Sequence, residues 1–231
     1  MEIIMEAFKI KIDCLIISDI HLGDSTARCR EVLEVLRKYD YDKLILNGDI
    51  VDGLRLERWT PEHWGVFSKL KRLSKKCEVV WIHGNHDASN YILSRLLGLR
   101  VRNRYVWKYG RKKFLAIHGH QYDRYLNNNY IASQIAYIFY SFIKNIDYNG
   151  ILANLIRNRS AVWERGSLEV AKGALRLGRL LMADYVFCGH THKIHSEEGR
   201  GIKYFNTGSW VEKPSAYITI TGDQVELHKI D

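Results

Sequence analysis

The stretch EVVWIHGNHD, residues 78–87, begins as an apolar run and ends in an amide, two imidazoles and a carboxylate. A short apolar run bounded by glycine reads as a buried strand, and an apolar core has no use for the polar groups that close it. The same construction recurs in CLIISD (14–19), KLILNGD (43–49), KFLAIHGH (113–120) and YVFCGH (185–190). Helix-like spans, ARCREVLEVLRKY (27–39) and PEHWGVFSKLKRLSKK (61–76), separate the first three strand-like runs, and a further helix is expected to begin near Ser89. This alternation predicts an α/β sheet with buried strands. The tail, IKYFNTGS (202–209) and then AYITITGDQVELHKI (216–230), reads as antiparallel strands with TGDQ as a turn.

Length and composition bound the rest. A chain of 231 residues, 46% hydrophobic and 26% charged, is long enough for one sizeable α/β domain over residues 1–231. No segment approaches the roughly 18 consecutive apolar residues of a membrane span. The start, MEIIMEAFKIKIDC, lacks the basic and then apolar pattern of an export signal, so a cytoplasmic protein is expected. The cysteines Cys14, Cys29, Cys77 and Cys188 show no paired spacing and are expected to be reduced. The net charge of +9 points to an anionic partner: nucleic acid, a phosphorylated metabolite or an acidic lipid surface.

Residues 124–182 break the rhythm with helical periodicity and no convincing strand, and are read as a helical insert within the domain. Ile131, Ile135, Ile138, Phe139 and Phe142 fall on one helix face, widened by Tyr137 and Tyr140. Such a face either packs on the core or offers a ligand an apolar surface as a cap. Arg157, Arg159 and Lys172 are candidates for a substrate's phosphates, against the commoner reading of solvated surface charge.

In an open α/β sheet the carboxyl ends of neighbouring strands converge on one crevice. That would bring together Asp19 and His21, Asp49 and Asp52, Asn85, His86 and Asp87, His118 and His120, and His190 and His192. Carboxylates, imidazoles and an amide without thiolates suit Mn2+, Fe2+ or Zn2+, and two ions fit the donor number. Asp52 either orients its loop or touches metal, and Asp87 is expected to hold His86 or to cap the helix near Ser89. His63, His83, His195 and His228 are read as structural.

The ordered blocks Asp-x-His, Gly-Asp, Gly-Asn-His-Asp, His-Gly and Gly-His-x-His resemble those of the calcineurin-like binuclear metallophosphoesterases. The resemblance implies a four-layer α/β/β/α sandwich. It implies Asp19, His21, Asp49 and His192 around one divalent ion, and Asp49, Asn85, His118 and His190 around a second, with Asp49 bridging and His86 beside the substrate phosphate. SDIHLGD, NGDIVDGLRLERW, GNHD, HGHQYD and NTGSWVE, with a helical insert before GHTH, are similar to the UDP-2,3-diacylglucosamine pyrophosphatase branch, which makes a lipid A precursor. This chain departs from that branch at His120, where many members have Asp, and at His86, where some have Arg.

The expectation is therefore a hydrolase of a phosphate ester or diphosphate, using two ions with Mn2+ expected and Fe2+ or Zn2+ as alternatives. Its substrate would be a phosphorylated small molecule or nucleotide-lipid, met at the inner face of the cytoplasmic membrane. In that case the insert would supply an acyl groove that includes Phe139 and Phe142. A nuclease or cyclic-nucleotide phosphodiesterase with the same metals ranks second, since the insert's aromatics are spaced like a buried face rather than interleaved with arginine for nucleic acid. A non-catalytic metal-binding scaffold ranks third.

Overall fold

A computed structural model describes residues 9–53, 56–123 and 161–231. The first sheet has the order β11-β10-β1-β2-β3-β4. Strands β1 (Ile10–Ile17), β2 (Tyr39–Asn47), β3 (Glu78–Ile82) and β4 (Val101–Arg102) run parallel, and β10 (Ser215–Thr221) and β11 (Gln224–Ile230) add an antiparallel hairpin beside β1. The second sheet, in the order β5-β6-β7-β9-β8, contains β5 (Arg104–Tyr109), β6 (Lys112–Ile117), β7 (Tyr185–Cys188), β8 (Ile194–Gly199) and β9 (Ile202–Thr207). In that sheet β6, β7 and β9 are parallel, with β5 and β8 antiparallel at the edges.

Period-two alternation divides the strand residues between two cores. Leu15, Ile17, Leu44, Leu46 and Trp81 face α1 (Cys29–Lys38) and α2 (Pro61–Leu73), against Val32, Leu36, Val66 and Leu70. Cys14, Ile16, Ile45, Val80 and Ile82 face the second sheet and meet Trp107, Phe114, Ala116 and Phe187. The far side of that sheet, through Leu115, Ile117, Val186 and Cys188, is covered by Ala171 and Ala174 of the helix Ala161–Leu180, here α4. The layers are thus helices, sheet, sheet, helix, the α/β/β/α sandwich expected.

Two expectations change. The run IKYFNTGS is β9, which lies in the second sheet parallel to β7, so only β10 and β11 of the tail form an antiparallel pair with each other. The expected insert 124–182 includes α4, which is packed on the second sheet, while residues 124–160 lie outside the described residues. Among the described residues, no helix is long and apolar enough to cross a membrane.

Candidate metal centre

All five donor-bearing motifs follow the C-terminal ends of β1, β2, β3, β6 and β7. The loops continue the strand pairing beyond the sheets: Asp19 N–H donates to Gly48 O at 2.9 Å, His21 N–H to Asp49 O at 3.0 Å, and Gly189 N–H to His118 O at 3.0 Å. Asp19, His21, Asp49, His190 and His192 all hold left-handed backbone, with φ between 51° and 69°. For residues with a Cβ this costs on the order of 1–3 kcal/mol each and persists only where the surroundings enforce it, as at functional sites. Here it turns the carboxylates and imidazoles off the strand direction and into one crevice.

Among the described residues, three groups form there, one of them His21, Asp52 and His86 at the edge. Asp19, His21 and His192 bring one ligand atom each within 4.8 Å of one another, as do Asp49, His118 and His190. Asp49 Oδ2 lies 3.1 Å from His118 Nε2 and 3.9 Å from His21 Nε2, so its carboxylate stands between the groups. His21 Nε2 and His192 Nε2 are 3.1 Å apart, and His192 Nε2 is 3.5 Å from Asp19 Oδ1. Two atoms bound at about 2.1 Å to one ion with tetrahedral or octahedral angles lie roughly 3.0–3.4 Å apart, which matches the 3.1 Å separations of His21 from His192 and of Asp49 from His118, while His192 and Asp19 stand slightly wider at 3.5 Å. His118 Nε2 is buried with the Asp49 carboxylate oxygen as its close neighbour, a pair of donor atoms that a cation between them would satisfy.

The electrostatics agree. Burial raises the Asp19 carboxyl, and the Asp49 charge adds to it. Burial opposes charge on Asp49 as well, but His118, His86 and His21 outweigh it and hold that carboxyl well below the usual range. His21 is pushed down to about 4 by burial, helped by His192 and His86. Burial opposes charge on His118, but the Asp49 carboxylate outweighs it and pushes that imidazole up to about 10, so in the metal-free site a proton supplies the positive charge a bound cation would bring. The donor set fits hard to borderline divalent ions.

Around the ligands stand carboxylates that position them. Asp52 Oδ1 lies 3.0 Å from His86 Nδ1. Burial works against the His86 imidazolium, but the Asp52 hydrogen bond and the Asp49 and Asp52 charges prevail and raise its pKa. The His86 backbone N–H donates to Asp49 Oδ1 at 2.7 Å. Asp87 neither holds His86 nor caps α3 (Asn90–Leu97), and Ser89 at the start of α3 makes no side-chain capping bond. The Asp87 carboxylate instead accepts from the backbone N–H groups of Asp49, Ile50, Val51 and Gly84 and from Trp81 Nε1, at 2.9–3.1 Å. It fastens the loop after β2 to the loop after β3. Gly84 is required for that approach, since a Cβ there would lie 2.1 Å from Asp49 Oδ1 and 2.3 Å from Asp49 N.

The structure therefore gathers Asp19, His21, Asp49, His118, His190 and His192, with His86 beside them. Asn85 is exposed on the same loop. His120 is half-buried, its ring 5.5 Å from that of His118 and 6.2 Å from that of His190, and burial pushes its pKa down to about 3. Lys172 is exposed on α4. Phe139, Phe142, Arg157 and Arg159 lie outside the described residues.

Comparison with known proteins follows the same lines. The family described as calcineurin-like phosphoesterase matches residues 12–194, more than half of the chain. The chain belongs to the calcineurin-like phosphoesterases. Solved structures share the fold at low sequence identity. Vacuolar protein sorting 29 from Cryptosporidium parvum is 16% identical, with 94% of this chain and 90% of that one covered and a TM-score of 0.53. Vps29 from Chaetomium thermophilum is 11% identical over 94% and 96% of the two chains, at 0.53. A structure described as a novel archaeal phosphodiesterase is 14% identical over 94% and 99%, at 0.51. A search of curated proteins finds no match. Membership in the calcineurin-like phosphoesterases supports phosphoester hydrolysis and implies divalent metal ions, for which the Asp and His groups above are suited.

Proposed function

We propose that this calcineurin-like phosphoesterase is a binuclear hydrolase of nucleotide-lipid diphosphates, converting UDP-2,3-diacylglucosamine or a close relative to the lipid 1-phosphate and UMP. The observation that carries the binuclear reading is the Asp49 carboxylate between two three-residue donor groups, with the Asp52–His86 pair at their edge. The substrate class is supported by the ordered motifs SDIHLGD, NGDIVDGLRLERW, GNHD, HGHQYD and NTGSWVE.

Asp19, His21, Asp49 and His192 would hold one ion, and Asp49, Asn85, His118 and His190 the other, with Mn2+ the expected metal. When bound, the ions supply water activation near neutral pH and offset charge on the phosphate oxygens. The protein's own groups do the rest. Asp52 commits Nδ1 of His86 and favours its charged form, so that the Nε2 proton can be directed at a phosphoryl or leaving-group oxygen. Asp87 keeps the backbone of residues 49–51 fixed while charge moves above it. The net charge of +9 suits an enzyme working at an anionic membrane, at about 1 kcal/mol per basic residue near the surface.

The test is a substrate panel with Mn2+: UDP-2,3-diacylglucosamine, the same nucleotide sugar without acyl chains, bis-p-nitrophenyl phosphate, cyclic nucleotides and single-stranded DNA. Preference for the acylated diphosphate supports the proposal. Preference for DNA or cyclic nucleotides assigns the same centre to the second-ranked chemistry. Two bound ions with no hydrolysis of any member would make the protein a metal-binding scaffold.

A further inference from the structure

We infer that Asp123 is a positioning residue that sets the affinity of one of the two metal positions by fixing the His190 ring; this rests on the binuclear reading above. Asp123 Oδ2 lies 3.0 Å from His190 Nε2, with both side chains largely buried. With Nε2 engaged by a carboxylate, the hydrogen bond assigns the proton to Nε2 and leaves Nδ1 as the ligand nitrogen.

The arrangement is held from both sides. The His190 backbone N–H donates to Asp19 Oδ1 at 2.9 Å, which ties the residue to the other donor group. Asp123 closes the short 3-10 turn His120–Tyr122, whose Tyr122 N–H donates to Gly119 O at 3.0 Å. Helix α4 presses on that turn: a Cβ at Gly173 would lie 2.4 Å from Tyr122 Cγ, so Asp123 is anchored by the same layer that covers the second sheet.

His118 offers the contrast. Its Nδ1 lies 3.0 Å from the backbone carbonyl of Asn47, which leaves Nε2 for the ion. The two imidazoles of one donor group thus present opposite nitrogens, one backed by a neutral carbonyl and the other by a carboxylate. A carboxylate behind an imidazole raises its basicity as a ligand as well as orienting it, so loss of Asp123 should weaken the position that His190 serves and spare the one built on His21 and His192.

The experiment is titration of metal-free protein with Mn2+ and with Zn2+ by calorimetry, with metal content after gel filtration and a melting curve for each variant. Asp123→Ala is expected to lose about 10–100-fold in affinity at one position, the usual cost of removing a group behind a metal ligand, with the second position unchanged. Asp123→Asn, which keeps the size and an acceptor oxygen but not the charge, should fall between Asp123→Ala and wild type. His190→Ala serves as the reference for loss of that position. Wild-type affinity at both positions in Asp123→Ala and Asp123→Asn, alongside loss of one position in His190→Ala, would overturn the inference and leave the binuclear reading standing. Wild-type protein that binds no metal would overturn both.

Discussion

Replacing Asp87 with alanine tests whether the site is a rigid part of the fold. The carboxylate is 9% exposed and accepts five hydrogen bonds, four of them from backbone N–H groups of the loops that carry Asp49 and Asn85. A hydrogen bond to a charged group contributes about 1.5–3 kcal/mol. The sum is not additive, because water entering the vacated space would re-pair some donors and the cost of burying the carboxylate disappears with it. A buried donor left without a partner costs about 1–3 kcal/mol, so with part of the five re-paired by water the net loss should be about 3–5 kcal/mol. In a domain of this size each kcal/mol moves the melting point by about 2–4 °C, so Asp87→Ala should melt roughly 10 °C below wild type. The scan is run in EDTA, so that lost metal binding does not contribute. Ser89→Ala, at a helix start without a side-chain cap, is the control and should shift Tm by less than about 1 °C. An Asp87→Ala protein that melts within 2 °C of wild type would refute the argument.

Asp49→Ala should abolish hydrolysis and bind neither ion firmly, since one carboxylate serves both groups; two ions retained per chain by mass spectrometry would contradict this. His86→Ala should lose on the order of 10²–10⁴-fold in rate, the usual range for proton-transfer assistance, with metal content near normal. Asp52→Asn should let the raised His86 pKa fall. Activity that needs protonated His86 disappears as pH rises through that pKa, so the basic limb of the rate–pH profile should move to lower pH; an unmoved limb would separate Asp52 from the chemistry. Gly84→Ala should abolish activity and lower stability, because the added methyl overlaps Asp49 backbone as well as its carboxylate; wild-type kinetics and Tm would falsify the packing argument.

The strands that build the centre were legible because each buries a run of β-branched and aromatic residues before its polar end. Strand β8, IHSEEG, was not: it is a half-exposed edge strand whose only reason to be extended is its pairing with β9. Strand β5, RYVWKY, sits at the opposite edge, with only Trp107 fully on the core side. Edge strands are specified by their neighbours more than by their own pattern, so a chain read in isolation understates them.

The centre itself shows the same division between what residue type announces and what contact decides. Asp19, His21, Asp49, His118, His190 and His192 stand out because metal chemistry needs rare side chains where a strand leaves the core. Asp52, Asp87 and Asp123 are the same residue type in the same motifs, yet one bonds an imidazole 34 positions away, one bonds backbone 36–38 positions away, and one bonds an imidazole 67 positions away. A backbone N–H has no sequence identity, so nothing in GNHD distinguishes a carboxylate that caps a helix from one that fastens two loops. The left-handed φ of five ligand residues is equally silent in sequence, since glycine would be the local choice and the need for a donor side chain overrides it. That conflict is strain at the ligands, and the buried Asp87 network is what holds the Asp49 loop against it. The fold therefore stabilises this geometry before any ion arrives, and Asp87→Ala should relax it even in metal-free protein.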